Sequence, residues 1–476
     1  MSPRQLQTRD LLVRIDRTQR PSLRRQLEDQ LRDAIRSGTL APSSELPSTR
    51  ALALDLGVSR GVTGRAYAQL AAEGYLELRQ GANPTVRKIS QIDLPPAAPR
   101  RPAGPRVRYD LRPHLPDVSS FPRQAWLRSL RSAVTSATNA ELGYVDSRGV
   151  LQLRTEIANY LGRARGVAAN PERVIITTGS AHALSLISSA LARTGARQMA
   201  WENPSHLILR LMTERAGQTS VAVALDDEGL RVDELERVEV DSVVVSPAHQ
   251  FPTGVVLSAD RRRRLVDWAR STRGLIVEDD YDAFFRYDRA PIGALQGLSP
   301  DHVVYLGSAG KSLAPALRLG WAVVPSEFVA TITEELAGTM LIVPALEQLA
   351  LADFIRRGEF DRNLSRMRAI YRRRRDAVVR ALEAWLPDLP VSGIDAGLHA
   401  VVHLPSAEVE EEVCARATSI GVLVQSLTQH ALAGYDGPAG LLVGYGPVAE
   451  AAIPEAIQQL AEIVDDVRHP VMAKAG

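Results

Sequence analysis

Lysine is almost missing from this 476-residue chain. Only Lys88, Lys311 and Lys474 stand among 57 basic residues, and the rest are arginine. A guanidinium stays protonated and forms no stable imine, so few side chains here can attack a carbonyl. Cysteine is scarcer still. Cys414 alone excludes an internal disulfide and fits a reducing compartment, and its helical spacing among acidic and apolar residues marks it as structural. Nine scattered histidines and no CxxC pair give no zinc pattern. No apolar run approaches membrane-spanning length, and the arginine-studded N-terminus lacks the apolar stretch of a secretion signal. A cytoplasmic protein without membrane contact is expected. With 45% hydrophobic and 24% charged residues, the chain has the composition of a globular protein larger than one typical domain.

The net charge of +2 hides an asymmetry. Residues 1–90 hold 15 Lys/Arg against 9 Asp/Glu, a balance of +6, which leaves −4 for the remainder. A basic front end on a slightly acidic body suggests that only the front meets polyanions. Leu23, Leu27, Leu31 and Ile35 recur every fourth residue, predicting an amphipathic helix over 22–37 that Gly38 ends. Ser48 is placed to cap a short helix that stops at Gly57. Ser59 is placed to cap a third, from Arg60 to Glu73, with Gly74 behind it. Tyr75–Arg79 and Thr85–Lys88, around the turn 80–83, read as a hairpin.

Gly38-x-Leu40, Leu46-Pro-Ser-Thr-Arg50, Leu56-Gly-Val-Ser-Arg60, Ala66-Tyr67 and Glu73-Gly-Tyr-Leu76 together resemble the winged helix-turn-helix of the GntR family of transcription regulators. Ser43 stands where that family usually has glycine, and Ala82-Asn-Pro84 replaces its small-residue wing tip. The resemblance implies binding to double-stranded operator DNA, with the start of the third helix in the major groove. Arg60, Thr63 and Arg65 then lie nearest to bases or phosphates. Arg50 and Tyr67 hold phosphates, and Ser48 and Ser59 sit at the helix starts facing DNA.

Residues 90–108 carry five prolines and four arginines with almost no large apolar residue, the composition of an extended tether. The domains expected are therefore 1–89, a linker over 90–108, and a body over 109–476. Within 170–325 of the body, apolar runs alternate with helical patterns: Val174–Thr177, Gln198–Trp201, Asp241–Val245, Gly274–Val277 and Val303–Leu306. That alternation argues an α/β architecture with a mostly parallel sheet covered on both faces. From about 326 the pattern becomes helical and then mixed, with a strand over Leu398–His403, as in a smaller subdomain.

Lys311 follows the last of those apolar runs within Gly307-Ser-Ala-Gly-Lys311, and Arg318 comes seven residues later. A strand, a small-residue turn, an amine and a guanidinium make a plausible aldehyde-plus-phosphate site. Gly143-Tyr144, Thr178-Gly-Ser180, Gln250-Phe-Pro-Thr-Gly254, Glu278-Asp-Asp-Tyr-Asp282 and Ser308-x-x-Lys311, in that order, resemble the fold-type-I aminotransferases, which use pyridoxal 5'-phosphate. Glu278–Tyr281 and Ala248–Gly254 look most like the MocR subfamily, which fuses a GntR-type reader to such a body.

The resemblance implies that Lys311 forms the Schiff base with the cofactor aldehyde. Asp279 holds the pyridinium nitrogen protonated, and Tyr281 hydrogen-bonds the ring's phenolic oxygen. Ser308 and Arg318 grip the phosphate with the backbone N–H groups of Ser180 and Ala181. His206 takes the position of the ring that stacks on the pyridine, and Tyr144 reaches the partner subunit's phosphate in a homodimer. Phe251 fills the slot of a family asparagine, and Leu442 that of the arginine that clamps a substrate carboxylate. Arg210 is a candidate substitute for that clamp, but it reads rather as an exposed helix charge. A kept cofactor shelf without its clamp implies a regulator with vestigial or no transaminase turnover that senses the cofactor itself, as the PdxR-like regulators of vitamin B6 synthesis do. A regulator answering a small amine or amino acid, similar to GabR or TauR, is the second reading. A working aminotransferase with an accessory reader is the third.

Overall fold

The computed structural model describes residues 13–18, 20–88, 106–287, 292–339, 342–393 and 395–469, so most of the expected tether lies outside the described residues. The chain divides into two compact units, Met1–Pro102 and Ala103–Gly476.

The first unit is built as its spacing predicts. Helices Leu23–Arg36, Thr49–Asp55 and Arg60–Ala72 are followed by an antiparallel pair, Leu76–Glu77 with Thr85–Val86. Leu27, Leu31 and Ile35 meet Leu52, Ala66, Tyr67 and Leu70 in one core, closed by Leu40, Leu46, Leu76 and Val86. The Ser48 hydroxyl accepts from the Ala51 N–H at 3.2 Å, a side-chain cap of the second helix. Ser59 precedes the third helix, but its hydroxyl accepts no bond from it, contrary to the expected cap. Ser43 adopts a left-handed backbone at φ +68°, the conformation for which glycine is the natural residue at this point of the pattern.

The large sheet of the body has eight strands in the order Val174–Thr177, Gly320–Val323, Val303–Ser308, Leu275–Asp279, Ser242–Val245, Gln198–Asn203, Thr219–Asp226 and Gly229–Leu230. Neighbours from Val303–Ser308 to Thr219–Asp226 run parallel. Gly320–Val323 is antiparallel to both its neighbours, and Gly229–Leu230 is an antiparallel edge. Alternate residues of a strand enter different apolar clusters. Val303 and Ile276 pack with Val243 and Leu265, while Val304, Leu306 and Val277 pack with Ile175 and Leu184. The parallel strands therefore point their carboxyl ends the same way, and a crevice at such ends is where open α/β sheets bind ligands.

A second sheet, of Val391–Ser392, His399–Leu404, Ala439–Gly444 and Gln425–Ser426, is antiparallel throughout. The 27-residue helix Glu359–Trp385 precedes it, helix Ala407–Ser419 packs on it, and helix Ile453–Arg468 packs against both of those helices. Tyr109–Asp110, at the very start of the body, pairs with Val422–Leu423. The smaller subdomain expected from 326 onward thus recruits a strand from more than 200 residues earlier.

Candidate functional site

A cavity of about 180 Å³ opens at the carboxyl ends of the parallel strands. It is lined by Lys311, Asp279, Tyr281, Ser308, Arg318, Ser180, Ala181 and His206, together with His114, Thr178 and Gly179. All but one of the residues expected to hold the cofactor are thereby brought together. The exception is Tyr144, whose side chain is fully exposed and lies outside this lining. A larger cavity of about 390 Å³, lined by Asp226, Thr253, His403 and Tyr435, shares no residue with this set.

Each element delivers its residue for a local reason. Lys311 lies on the single turn Ala309–Ser312 that follows the strand Val303–Ser308, and the Ser308 hydroxyl caps that turn by accepting from the Gly310 N–H at 2.9 Å. The helix Ser180–Arg193 begins at Gly179, and a Cβ on Gly320 would stand 2.6 Å from the Gly179 Cα. Glycine at 320 lets the helix start approach the strand, with the N–H groups of Ser180 and Ala181 at its first turn. Arg318 has a left-handed backbone, φ +51°, and its guanidinium donates to the Thr178 hydroxyl at 3.4 Å. A cation, a hydroxyl and a helix N-terminus converge there, a set suited to a phosphate dianion.

The carboxylates of Glu278-Asp-Asp-Tyr-Asp282 are all buried, but their partners separate their roles. Glu278 accepts from the N–H groups of Leu295 and Gln296 at 2.9 Å. Asp280 has one oxygen without a partner, but its Oδ2 is held by Arg165 at 2.7 Å and by the Tyr305 hydroxyl at 2.6 Å. Asp282 faces His249 Nδ1 at 3.0 Å, and the same nitrogen lies 3.0 Å from the Tyr281 hydroxyl. Asp279 is the one of the four that lines the cavity, and its Oδ1 is buried with no partner. Burial and the neighbouring Asp280 push its pKa up to about 7, while Ser180 and Lys311 pull it down. An acidic oxygen left unpaired beside a cavity asks for a donor, and a protonated ring nitrogen is one.

Lys311 is itself perturbed. Burial lowers its pKa to about 8 against the pull of Asp282 and Asp279, and its ammonium donates to the His114 carbonyl at 2.6 Å. An amine this close to neutrality is a competent nucleophile. His206, at the start of helix Leu207–Arg215, lies with its ring 5.0 Å from that of His114 at an interplanar angle of 28°.

Three expectations are corrected here, and one group dispersed in sequence is gathered in space: His114, His206, His249, His399 and His430 meet around Phe251 and Tyr281. Arg210 is not an exposed charge; its side chain is 12% exposed, pairs with Glu214 at 3.7 Å and reaches the Ala431 carbonyl. In the first unit, Thr63 is fully buried and donates to the Thr49 carbonyl at 2.8 Å. Tyr67 is buried too, and its hydroxyl donates to the Pro47 carbonyl at 3.0 Å. Both belong to the core face of the third helix, at a spacing of three and four with Ala66 and Leu70, so neither is free to touch DNA. Arg50, Arg60, Arg65, Ser48 and Ser59 remain exposed. Leu442 is fully buried in a cluster with Phe251, Tyr281, Val401 and Leu427. His114, the residue that touches Lys311, was not anticipated; its only local mark is its place between Pro113 and Pro116.

Residues 116–435 match the family of aminotransferases of class I and II, and residues 23–86 match the bacterial regulatory proteins of the gntR family. The pairing of a DNA-reading helix-turn-helix with an aminotransferase-like body defines a transcription regulator that binds DNA. The chain is 32% identical over 463 residues to the HTH-type pyridoxine biosynthesis transcriptional regulator PdxR of Corynebacterium glutamicum, covering 96% of this chain and 99% of that one. It is 31% identical over 469 residues to the probable rhizopine catabolism regulatory protein MocR of Rhizobium meliloti, covering 94% of each. Among solved structures it resembles the kynurenine aminotransferase of Pyrococcus horikoshii in complex with PMP, at 26% identity and a TM-score of 0.68 over 75% of this chain and 90% of that one. This chain belongs to the MocR-type regulators, which join a GntR reader to an aminotransferase class I and II body. No helix among the described residues is long and apolar enough to cross a membrane.

Proposed function

We propose that this regulator binds pyridoxal 5'-phosphate at Lys311 and that occupancy of the site sets its affinity for an operator controlling vitamin B6 synthesis. The observation that carries the reading is the unpaired Asp279 Oδ1 in the same cavity as a near-neutral lysine and a phosphate cradle. When bound, the group supplies an aldehyde carbon and a protonated ring that draws electrons. Asp279 would keep the proton on the ring nitrogen, and the Tyr281 hydroxyl, steadied by His249 and Asp282, would serve the phenolic oxygen. Arg318, Ser308 and the N–H groups of Ser180 and Ala181 would hold the phosphate. Lys311, whose ammonium donates to the His114 carbonyl, would meet the aldehyde.

The cofactor as signal is supported by the apolar packing of Leu442 and by the similarity to the Corynebacterium regulator of pyridoxine biosynthesis. A ligand shifts DNA affinity only by binding two states of the regulator unequally. We propose further that it acts in the cytoplasm as a homodimer, for which the exposed Leu127, Val134, Leu142, Tyr144 and Leu151 provide apolar surface. The test is chemical. Purified protein is mixed with pyridoxal 5'-phosphate, reduced with borohydride and digested, and a single adduct is expected on Lys311 by mass spectrometry. Loading is also expected to shift operator affinity in a mobility assay, without turnover of amino acids. An unmodified Lys311 refutes the reading.

A further inference from the structure

We propose that His114 determines the specificity of the Lys311 site: its ring closes the side of the cavity away from the phosphate cradle, so the site takes the aldehyde cofactor but excludes an amine of amino-acid size beside it. The proposal rests on the cofactor reading above and names the ligand class that reading admits.

Three costly features coincide at this residue. His114 has a left-handed backbone, φ +65°, which a non-glycine side chain rarely adopts. Its Nε2 is buried without a partner. Its carbonyl is the acceptor for the Lys311 ammonium. Such strain persists only where the surroundings impose it, and it concentrates at functional sites. Here both flanks are pinned. Before it, the Leu111 N–H donates to the Leu423 carbonyl and the Leu111 carbonyl accepts from the Gly444 N–H. After it, the Asp117 N–H donates to the Tyr371 hydroxyl, and the Asp117 carboxylate pairs with buried Arg374 at 2.8 Å. The ring therefore stands where the fold puts it, 3.8 Å from the Phe251 centroid, 5.0 Å from His206, 5.3 Å from Tyr281 and 5.9 Å from His399.

The cavity shows the effect. His114 and Tyr281 line it, but Phe251, His399, His430 and Leu442 do not. Phe251 and His399 stand against the His114 ring, and His430 and Leu442 pack with Phe251: Phe251 is 4.9 Å from His430 and 5.4 Å from His399, and His399 Nε2 is bonded to the Pro252 carbonyl. None carries a fixed positive charge, and burial holds His399 and His430 neutral with pKa values of about 3. This packing offers an α-carboxylate no room, and the cation beside it, Arg210 near His430, is already engaged by Glu214 and the Ala431 carbonyl. A very small amine can still reach the aldehyde carbon.

The experiment uses the full chain loaded with pyridoxal 5'-phosphate, as wild type, His114→Gly and His114→Asn. Glycine accepts the left-handed backbone and keeps the carbonyl that Lys311 uses; asparagine tolerates the same backbone with a shorter side chain. Hydroxylamine and O-benzylhydroxylamine each displace Lys311: the reagent nitrogen takes the aldehyde carbon, and Lys311 leaves as a free amine. Absorbance follows the rates. The preference of wild type for the small reagent is expected to shrink by at least roughly tenfold in His114→Gly, with His114→Asn between them. The dissociation constant of each cofactor-free protein for pyridoxal 5'-phosphate is titrated by fluorescence, and borohydride reduction onto Lys311 confirms loading before the rates are compared. An equal size preference in wild type and variants overturns the proposal, as does a collapse of cofactor affinity in both variants, which would mark His114 as a packing residue. Failure of all three proteins to take up the aldehyde at Lys311 is a different result, and it refutes the cofactor reading itself.

Discussion

The reactivity of Lys311 toward electrophiles should pass through its midpoint about two and a half pH units below that of an ordinary lysine. Burial disfavours the ammonium and brings its pKa from 10.5 to about 8, while Asp282 and Asp279 act in the opposite direction. At pH 7 a lysine at 10.5 is neutral in roughly one molecule in 3,000, and one at about 8 in roughly one in ten. On the fraction of free amine alone, Lys311 should be acylated roughly 300-fold faster at neutral pH than an ordinary lysine of equal access. The sign follows from the lowered pKa: reactivity climbs as pH rises from 6, then levels off above about 8. Trace labelling of the cofactor-free protein with acetic anhydride, read peptide by peptide in a mass spectrometer, gives this curve, with exposed Lys88 in the same digest as the comparison. Asp279→Asn removes one of the two charges that hold the proton, so its midpoint should move lower. A Lys311 curve still climbing at pH 10, or a midpoint that rises in Asp279→Asn, would refute the argument that burial prepares this amine.

Asp279→Ala removes the acceptor for a charged donor, worth about 1.5–3 kcal/mol, so affinity for pyridoxal 5'-phosphate should fall roughly 10- to 150-fold in a fluorescence titration. Arg60→Ala should weaken operator binding and make the salt dependence shallower by about one phosphate contact, measured by mobility shift across a salt series. Tyr67→Phe should instead leave the salt slope unchanged and destabilise the reader by about 1 kcal/mol in urea unfolding, because the Pro47 carbonyl loses its donor. Arg165→Met leaves Asp280 buried without its cation, keeping only the Tyr305 hydroxyl, and should cost about 3–5 kcal/mol in the same assay.

Much of this molecule is written locally in its chain. The reader's helices follow from leucines at a spacing of four and from glycines in stop positions. Ser308, Lys311 and Arg318 lie within eleven residues of one another, so their shared cavity is legible from residue order alone. Thr63 and Tyr67 share the helical period of Ala66 and Leu70, which places them in the core; their hydrogen-bonding side chains point the reading toward DNA, and the period wins. The histidine cluster is not legible. Its members come from five separate segments, and only the fold of both sheets around Phe251 brings them within 4–6 Å of one another or of that ring. Arg210 is hidden by a loop more than 200 residues away, which no local window contains. Likewise, the four acidic groups between 278 and 282 look alike in sequence until Arg165, His249 and two backbone amides claim all but Asp279.

The parallel pairing of Tyr109–Asp110 with Val422–Leu423 fixes where the incoming strand of polypeptide is moored. Arg108 and Tyr109 both donate to the Gly421 carbonyl, and the next firm attachment is at Leu111. From that mooring to His114, whose carbonyl accepts from the Lys311 ammonium, the path along the main chain is about half a dozen residues. The carbonyl that holds Lys311 and the first moored residues of the body therefore belong to one short stretch of main chain. Covalent arithmetic, rather than a long relay of side chains, joins the two.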